Sequence, residues 1–429
     1  MSILTNKKNK KCWKDYLLMF LMLGISANPF LGQNIESFII IGLLYVFVFY
    51  PFTFKIDIDN EAIPILIILF FISFEFIHKA IFDLHNTKTI IRILGYYFFA
   101  YFSVKALKTK FIDAYISIIY YLAIISLIFY VVSLIPGINI FIYNFADKVF
   151  TVKSDFSNEH VRTLIIYTFP SAYFKYGILP LRNAGFTWEP GAFGIFLNLA
   201  LFFYVTSTKI SVKTIFIKKK SIVMMIALLL TFSTTAYVVF GLSLIYFSFN
   251  EKGSKKYVLI IVVGFMIFFS FTNLDFLKNK VAFQVETAQE SHNRFGSAII
   301  DWQYIKQRPF FGWSRKGKVL FGRDAGTFVS HLPNGLTNYL RSYGFINMFF
   351  FLIILFVSFK KYFRYINKKN ASMLSVFVLL IILLSSFSEL IFGKVILKAF
   401  LFLSFVYPSY IKKKKYVNDK QYLIVNKND

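Results

Sequence analysis

The sequence predicts an all-α polytopic membrane protein of about twelve transmembrane helices, with one larger external loop. Three observations lead there. Of 429 residues, 57% are hydrophobic and 21% aromatic, more apolar surface than a soluble core encloses. The apolar residues fall in repeated runs of roughly 17–25 residues, the length that crosses a bilayer. Clusters of Lys and Arg separate the runs, as in cytoplasmic loops. Those clusters account for the formal net charge of +27 without a nucleic-acid partner. The single cysteine, Cys12, excludes an internal disulfide framework and a thiolate metal cluster, and the five histidines lack metal-ligand spacing. No internal repeat, glycine-rich phosphate loop or nucleophile elbow is found.

The elements follow in order, with the whole chain, 1–429, read as one integral membrane domain. The basic start "NKKNKKCWK" is expected in the cytoplasm and leads into a first span rather than a cleaved signal peptide. Spans near 14–30 and 35–52 form a hairpin returning to "KIDIDNE"; spans near 61–78 and 89–105 form a second, ending at "KALKTK". A span near 111–135 runs outward and stops at "IPGIN". Residues 136–190 are read as an external and re-entrant segment, with 161–178 re-entrant or interfacial. A span near 191–206 returns to the basic loop "TKISVKTIFIKKK". Residues 221–250, apolar between two basic flanks, read as a short hairpin with its tip at "TFSTTAY". Ser233, Thr234 and Thr235 there serve either the turn's backbone or a ligand. A span near 257–272 leads to the large external loop, 273–335. Spans near 336–358, 371–390 and 391–410 close the chain, alternating with "FKKYFRYINKK" and "KKKK". Both termini are expected in the cytoplasm.

Segment 273–335 departs from the charge rule, with nine Lys and Arg against five acids on the external side, where the bias disfavours cations. An anionic ligand is one reason for such an excess. Within it, "SHNRFGSAIIDWQYIKQRP" has the spacing of an amphipathic helix. Phe295, Ile299 and Trp302 share one face; Arg294, Asp301 and Arg308 share another. The polar face is either a phosphate-binding face or a solvated one with an Arg–Asp pair. His331, in "SHLPNGLTNYLRSYG", lies at the mouth of a span, where Asn334 and Asn338 suit helix-end hydrogen bonds. A second polar insert, "RNAGFTWEPGAFG", joins Arg182, three glycines and Glu189-Pro190. Pro190 suits the first helical position, which makes Glu189 an N-cap, yet Glu is not a preferred cap. Asp57 and Asp59 in "DID" form a lone acidic pair on the cytoplasmic side. Glu389, Lys394 and Lys398 flank or enter the last spans, where charges are functional or snorkel to the interface.

Taken together, Arg182, Gly185, Glu189, Pro190 and Gly191 resemble the "R..G...EPG" stretch of Wzy-type O-antigen and capsule repeat-unit polymerases. The hairpin "LLLTFSTTAY" is similar to a Ser/Thr-rich turn these proteins share with O-antigen ligases. Arg294, Trp302 and "RPFFGW" resemble their external-loop pattern, and "HLPNGLTNYLRSYG" their late His-Asn motif. The resemblance covers roughly residues 180–345. In the family His is often followed directly by Asn, whereas Leu332 and Pro333 intervene here.

The resemblance implies a GT-C-like fold and an inverting, metal-independent glycosyltransferase without a cofactor, used in lipopolysaccharide or capsule biosynthesis. Such an enzyme acts at the outer face of the bacterial cytoplasmic membrane. It moves a growing glycan from undecaprenyl diphosphate onto a lipid-linked repeat unit. Its expected partners are undecaprenyl-diphosphate-linked oligosaccharide, membrane lipid, a chain-length regulator and a flippase. An O-antigen ligase and a lipid-linked oligosaccharide flippase are the alternatives. The residues suit the reaction. Arg182, Arg294 and Arg308 are the candidates to meet the diphosphate, since guanidinium binds phosphate bidentately and stays charged. Glu189 and His331 are the candidate bases; with Arg182 they make the candidate catalytic set.

Overall fold

The computed structural model describes residues 12–55, 58–82, 87–135, 137–150, 152–153, 160–169, 182–208, 211–249, 294–315, 334–366 and 368–407, with isolated positions 257, 261 and 264. The chain is mostly helical. In order come α1 (Trp13–Ala27), α2 (Pro29–Gln33), α3 (Ile35–Phe49), α4 (Ile58–Phe82), α5 (Thr87–Leu107), α6 (Phe111–Ser133) and α7 (Ile138–Phe150). Three short strands follow: β1 (Val152–Lys153), β2 (His160–Thr163) and β3 (Thr168–Phe169). Then come α8 (Pro190–Ser207), α9 (Val212–Ile217), α10 (Lys219–Leu229), α11 (Thr234–Ser248), α12 (Arg294–Gln307), α13 (Gly335–Tyr365), α14 (Ala371–Ser388), α15 (Val395–Leu401) and α16 (Leu403–Val406).

Among the described residues, five helical runs are long and apolar enough to cross a membrane: Glu61–Phe82, Thr87–Ser133, Pro190–Ser207, Gly335–Tyr365 and Ala371–Ser388. The second contains α5 and α6, joined by a 3-10 turn at Lys108–Lys110. α1 and α3 match the first expected hairpin but hold 15 residues each, about 22 Å of helix. The last expected span, 391–410, is not one helix. A turn occupies Glu389–Lys394, and only the short α15 and α16 follow. The expected span 257–272 falls almost entirely outside the described residues.

α8 is the central helix, with 89% of its residues buried. It packs on α6, α10, α11 and α14. Phe203 of α8 shows how the bundle closes, meeting the rings of Tyr115, Phe359, Tyr362 and Phe400. Polar residues at the helix starts satisfy backbone N–H groups that have no partner within the helix. Asn28 accepts from Phe30 and Leu31, Ser233 from Ala236, and Asn334 from Leu336 and Thr337. Residues 221–250 form the expected broken pair of helices, with the break at Leu230–Ser233, and Ser233 serves the turn's backbone.

Two features go beyond the sequence reading. The segment expected to be external and re-entrant or interfacial contains an antiparallel three-stranded sheet, pairing Val152 with Val161 and Arg162 with Phe169. Its buried rings, Tyr167 and Phe169, pack against Phe129 of α6 and Tyr143 of α7. The Asn28 side chain ties the sheet to the α1–α2 junction, donating to Ile165 O at 2.8 Å and Phe186 O at 3.0 Å. Residues 170–181 lie outside the described residues.

The second feature is in α13, which breaks at Gly344 (φ +75, ψ 177). The segment Arg308–Ser314 lies against this break. Trp313 N donates to Arg341 O at 2.8 Å, Ser314 N to Ser342 O at 3.0 Å, and Phe345 N to Pro309 O at 2.7 Å. A Cβ on Gly344 meets Phe310 O at 2.2 Å, and one on Gly312 (φ +71) meets the Ser342 carbonyl carbon at 2.5 Å. Two glycines thus let two backbones touch.

Candidate functional site

The insert before α8 is a packed structure rather than a loose connector. Arg182 Nε donates to Thr231 O at 3.1 Å and Asn183 N to Leu230 O at 2.8 Å, which fixes its start to the tip of the α10–α11 hairpin. Asn183 Nδ2 donates to Ser126 Oγ of α6, and its Oδ1 accepts from Gly185 N. Gly185 sits at φ +52, where a Cβ strikes the Phe193 ring at 2.7 Å. Trp188 N donates to Ala27 O at the end of α1. Asn183, Ala184, Phe186 and Thr187 are fully buried, while Arg182, Trp188 and Glu189 are half-buried.

Glu189 occupies the N-cap position of α8 in extended conformation (φ −155, ψ 161), with Pro190 following, but its side chain makes no capping hydrogen bond. Its carboxyl instead lies close enough to that of Glu389 to push it up. Glu389 is the first residue beyond α14 and is 2% exposed. Gly191 makes room for it, since a Cβ there meets Glu389 Oε1 at 2.3 Å. Arg294 Nη2, from the first residue of α12, lies 3.6 Å from the same oxygen. Trp188 acts on the Glu389 carboxyl as well, and Lys394 Nζ stands 3.9 Å over the Trp188 ring. Burial, then the negative charge of Glu189, pushes the Glu389 carboxyl well above its usual range; Arg294 and Trp188 oppose the shift. Burial draws Lys394 down to about 8, against the pull of Glu389. Arg182 feels Glu189, Arg294 and Glu389.

The site therefore unites Arg182, Glu189 and Arg294 from the sequence expectation with Glu389, Lys394 and Trp188. Two interacting carboxyl groups lie under the influence of two guanidinium groups, at the positive end of a buried helix dipole. Such an arrangement can hold an oxyanion and accept a proton.

Arg308 is placed elsewhere. It stands at the far end of α12, 4.8 Å from the Phe82 ring and 4.7 Å from Trp313. Spacing put Arg294 and Arg308 on one face, but fourteen residues of helix separate them by about 21 Å along its axis. Asp301, between them, is buried. Arg341 Nη1 lies 2.8 Å from it, and Thr337 donates to it at 2.6 Å. The polar face of α12 thus turns inward, while Phe295, Ile299 and Trp302 remain exposed. Asn334 takes the expected helix-end role and also reaches Arg294 O. His331 lies outside the described residues.

Sequence reasoning left Glu389 and Lys394 without a role. Their signal was visible, a charge next to an apolar run, but their proximity to Glu189 is a product of the fold. Comparison of the chain with known proteins finds no matching family model and no significant match among curated proteins.

Proposed function

We propose that this chain is a Wzy-type repeat-unit polymerase, a metal-independent, inverting glycosyltransferase of the bacterial cytoplasmic membrane. The observation that supports this most is the convergence of Arg182 and Arg294 on the Glu189–Glu389 pair at the N-terminus of α8. In this reading the two guanidinium groups meet the diphosphate of an undecaprenyl-linked glycan. The acceptor is the sugar end of a second lipid-linked unit. Its hydroxyl oxygen bonds to the anomeric carbon as its proton passes to Glu189. The bond from that carbon to the diphosphate breaks, and the electron pair leaves with the phosphate oxygen. Fixed cations where that charge develops lower the barrier. Protonated Glu389 donates a hydrogen bond to Glu189 and holds the base in place.

Deletion of the gene followed by analysis of surface glycan tests the reading. A single repeat unit on the core supports a polymerase. Bare core with accumulated lipid-linked polymer supports a ligase. The buried charges Glu75 and Lys398 inside the bundle favour a transporter as the second reading; its mark is lipid-linked repeat units trapped on the inner face.

A further inference from the structure

The Glu389–Lys394 turn has a second side. Leu390, Phe392 and Gly393 help to line a cavity of about 110 Å³ that contains neither Glu189 nor Arg182. Its charged residues come from three separate parts of the chain. Glu75 of α4 is 2% exposed and Lys398 of α15 is 5% exposed, whereas Arg315, beyond α12, is exposed. The cavity thus runs between the side chains of Arg315 and Lys398. We propose that it binds an oxyanion of the phosphate class, at a site separate from the Glu189–Glu389 pair.

Two features point there. The first is charge: Arg315 and Lys398 face one acid, Glu75. A buried cation in excess is costly unless an anion accompanies it. The second is hydrogen bonding. Glu75 already accepts from the Tyr343 hydroxyl at 2.6 Å. Lys398 Nζ donates to Gly393 O at 2.6 Å, and an ammonium has three protons to give. The Ser342 hydroxyl lines the cavity, is 1% exposed, and has no hydrogen-bond partner among the described residues. The wall therefore offers more donors than acceptors, as an oxyanion requires. The ligand is either the diphosphate headgroup of a polyprenyl lipid or a free phosphate. The proposal stands apart from the glycosyl-transfer reading, because its test measures binding.

The test uses full-length protein in detergent carrying Arg182→Ala and Arg294→Ala, which silences the other cationic site. Inorganic pyrophosphate and farnesyl diphosphate are titrated at constant ionic strength, by calorimetry and by thermal unfolding. Saturable binding is expected, weakened at least about tenfold by Lys398→Met and by Arg315→Gln, each of which removes a charge-assisted contact. Arg315 lies beyond the end of α12, on a separate part of the chain from Lys398, so its variant reports even if Lys398→Met fails to fold. Farnesyl diphosphate binding at least about tenfold tighter than pyrophosphate identifies a lipid headgroup; equal binding identifies free phosphate. Absence of saturable binding, or binding unchanged in both pocket variants, overturns the proposal.

Discussion

The carboxyl groups of Glu189 and Glu389 interact across the junction of α8 and α14, and Arg294 Nη2 lies 3.6 Å from Glu389 Oε1. Two buried carboxyl groups this close avoid repulsion when one of them carries a proton. Burial and the charge of Glu189 raise Glu389, so Glu389 is the acid of the pair. Like charges this close push two pKa values apart and divide the roles.

That division predicts unequal substitutions. Glu189→Gln removes the base and is expected to lower turnover by about 10²–10⁴ at a normal protein level. Glu389→Gln imitates the protonated acid and keeps a donor, so its loss is expected to stay below about tenfold. The measurement is turnover of purified variants on a defined lipid-linked repeat unit. Equal losses in the two variants would remove the assignment of roles.

The same pair predicts a pH dependence of stability. A group whose pKa rises on folding holds its proton more tightly in the native state. Glu389 therefore contributes stability that is complete below its ordinary value of 4.5 and is lost as pH climbs through its raised native value. The unfolding midpoint of the wild type is expected to fall from about pH 5 upward, and Glu389→Gln to follow a flatter curve. Parallel curves would assign the titration to another group.

The arginines are expected to separate into two kinds. Arg182→Ala and Arg294→Ala each lower kcat by about 10²–10³, the loss typical of a contact to developing negative charge. Lysine rescues poorly, being a point charge without a paired fork. Arg308→Ala instead costs about 1 kcal/mol of stability from its ring contacts and leaves turnover near normal. Glycan ladders from cells and unfolding curves of purified protein distinguish these outcomes. A ladder lost in Arg308→Ala and kept in the other two reverses the assignment.

Gly344→Ala is expected to cost about 1–3 kcal/mol, because the residue sits at φ +75 with a carbonyl oxygen 2.2 Å from where the methyl goes. Gly32→Ala, with nothing within 4 Å, is the control and is expected to be neutral or mildly stabilising. Thermal unfolding in detergent compares the two directly; equal midpoints contradict the close backbone approach at Gly344.

Much of the helical frame was legible because hydropathy reports it directly. The runs that became α8 and α14 are long and apolar, and the break at Leu230–Ser233 follows from two basic flanks with a Ser/Thr-rich tip between them. The cap at Asn334 follows from residue type. The sheet was not legible, because strands as short as Val152–Lys153 and Thr168–Phe169 carry too few residues for an alternating pattern. At the site, the sequence presented Arg182 and Glu189 as one cluster, since they lie on one short insert. It did not present Glu389, whose neighbour is set by the packing of α14 against α8. Arg308 shows the converse limit: helical spacing reports which face a residue occupies, and the length of the helix decides which neighbours it meets.

The seam between Arg308–Ser314 and the broken helix α13 has a mechanical consequence. Backbone hydrogen bonds and two glycine contacts clamp the base of α12 to a membrane helix, and the Asp301–Arg341 pair adds a second clamp about two turns further along. Asn334 at the start of α13 also holds Arg294 O, so α12 is tied to α13 at both ends like a strut, and Arg294 is presented to Glu389 at a fixed height. The same helix α13 that carries this strut also lines the Arg315–Lys398 cavity, so the carboxyl pair and the cavity are built on one rigid support.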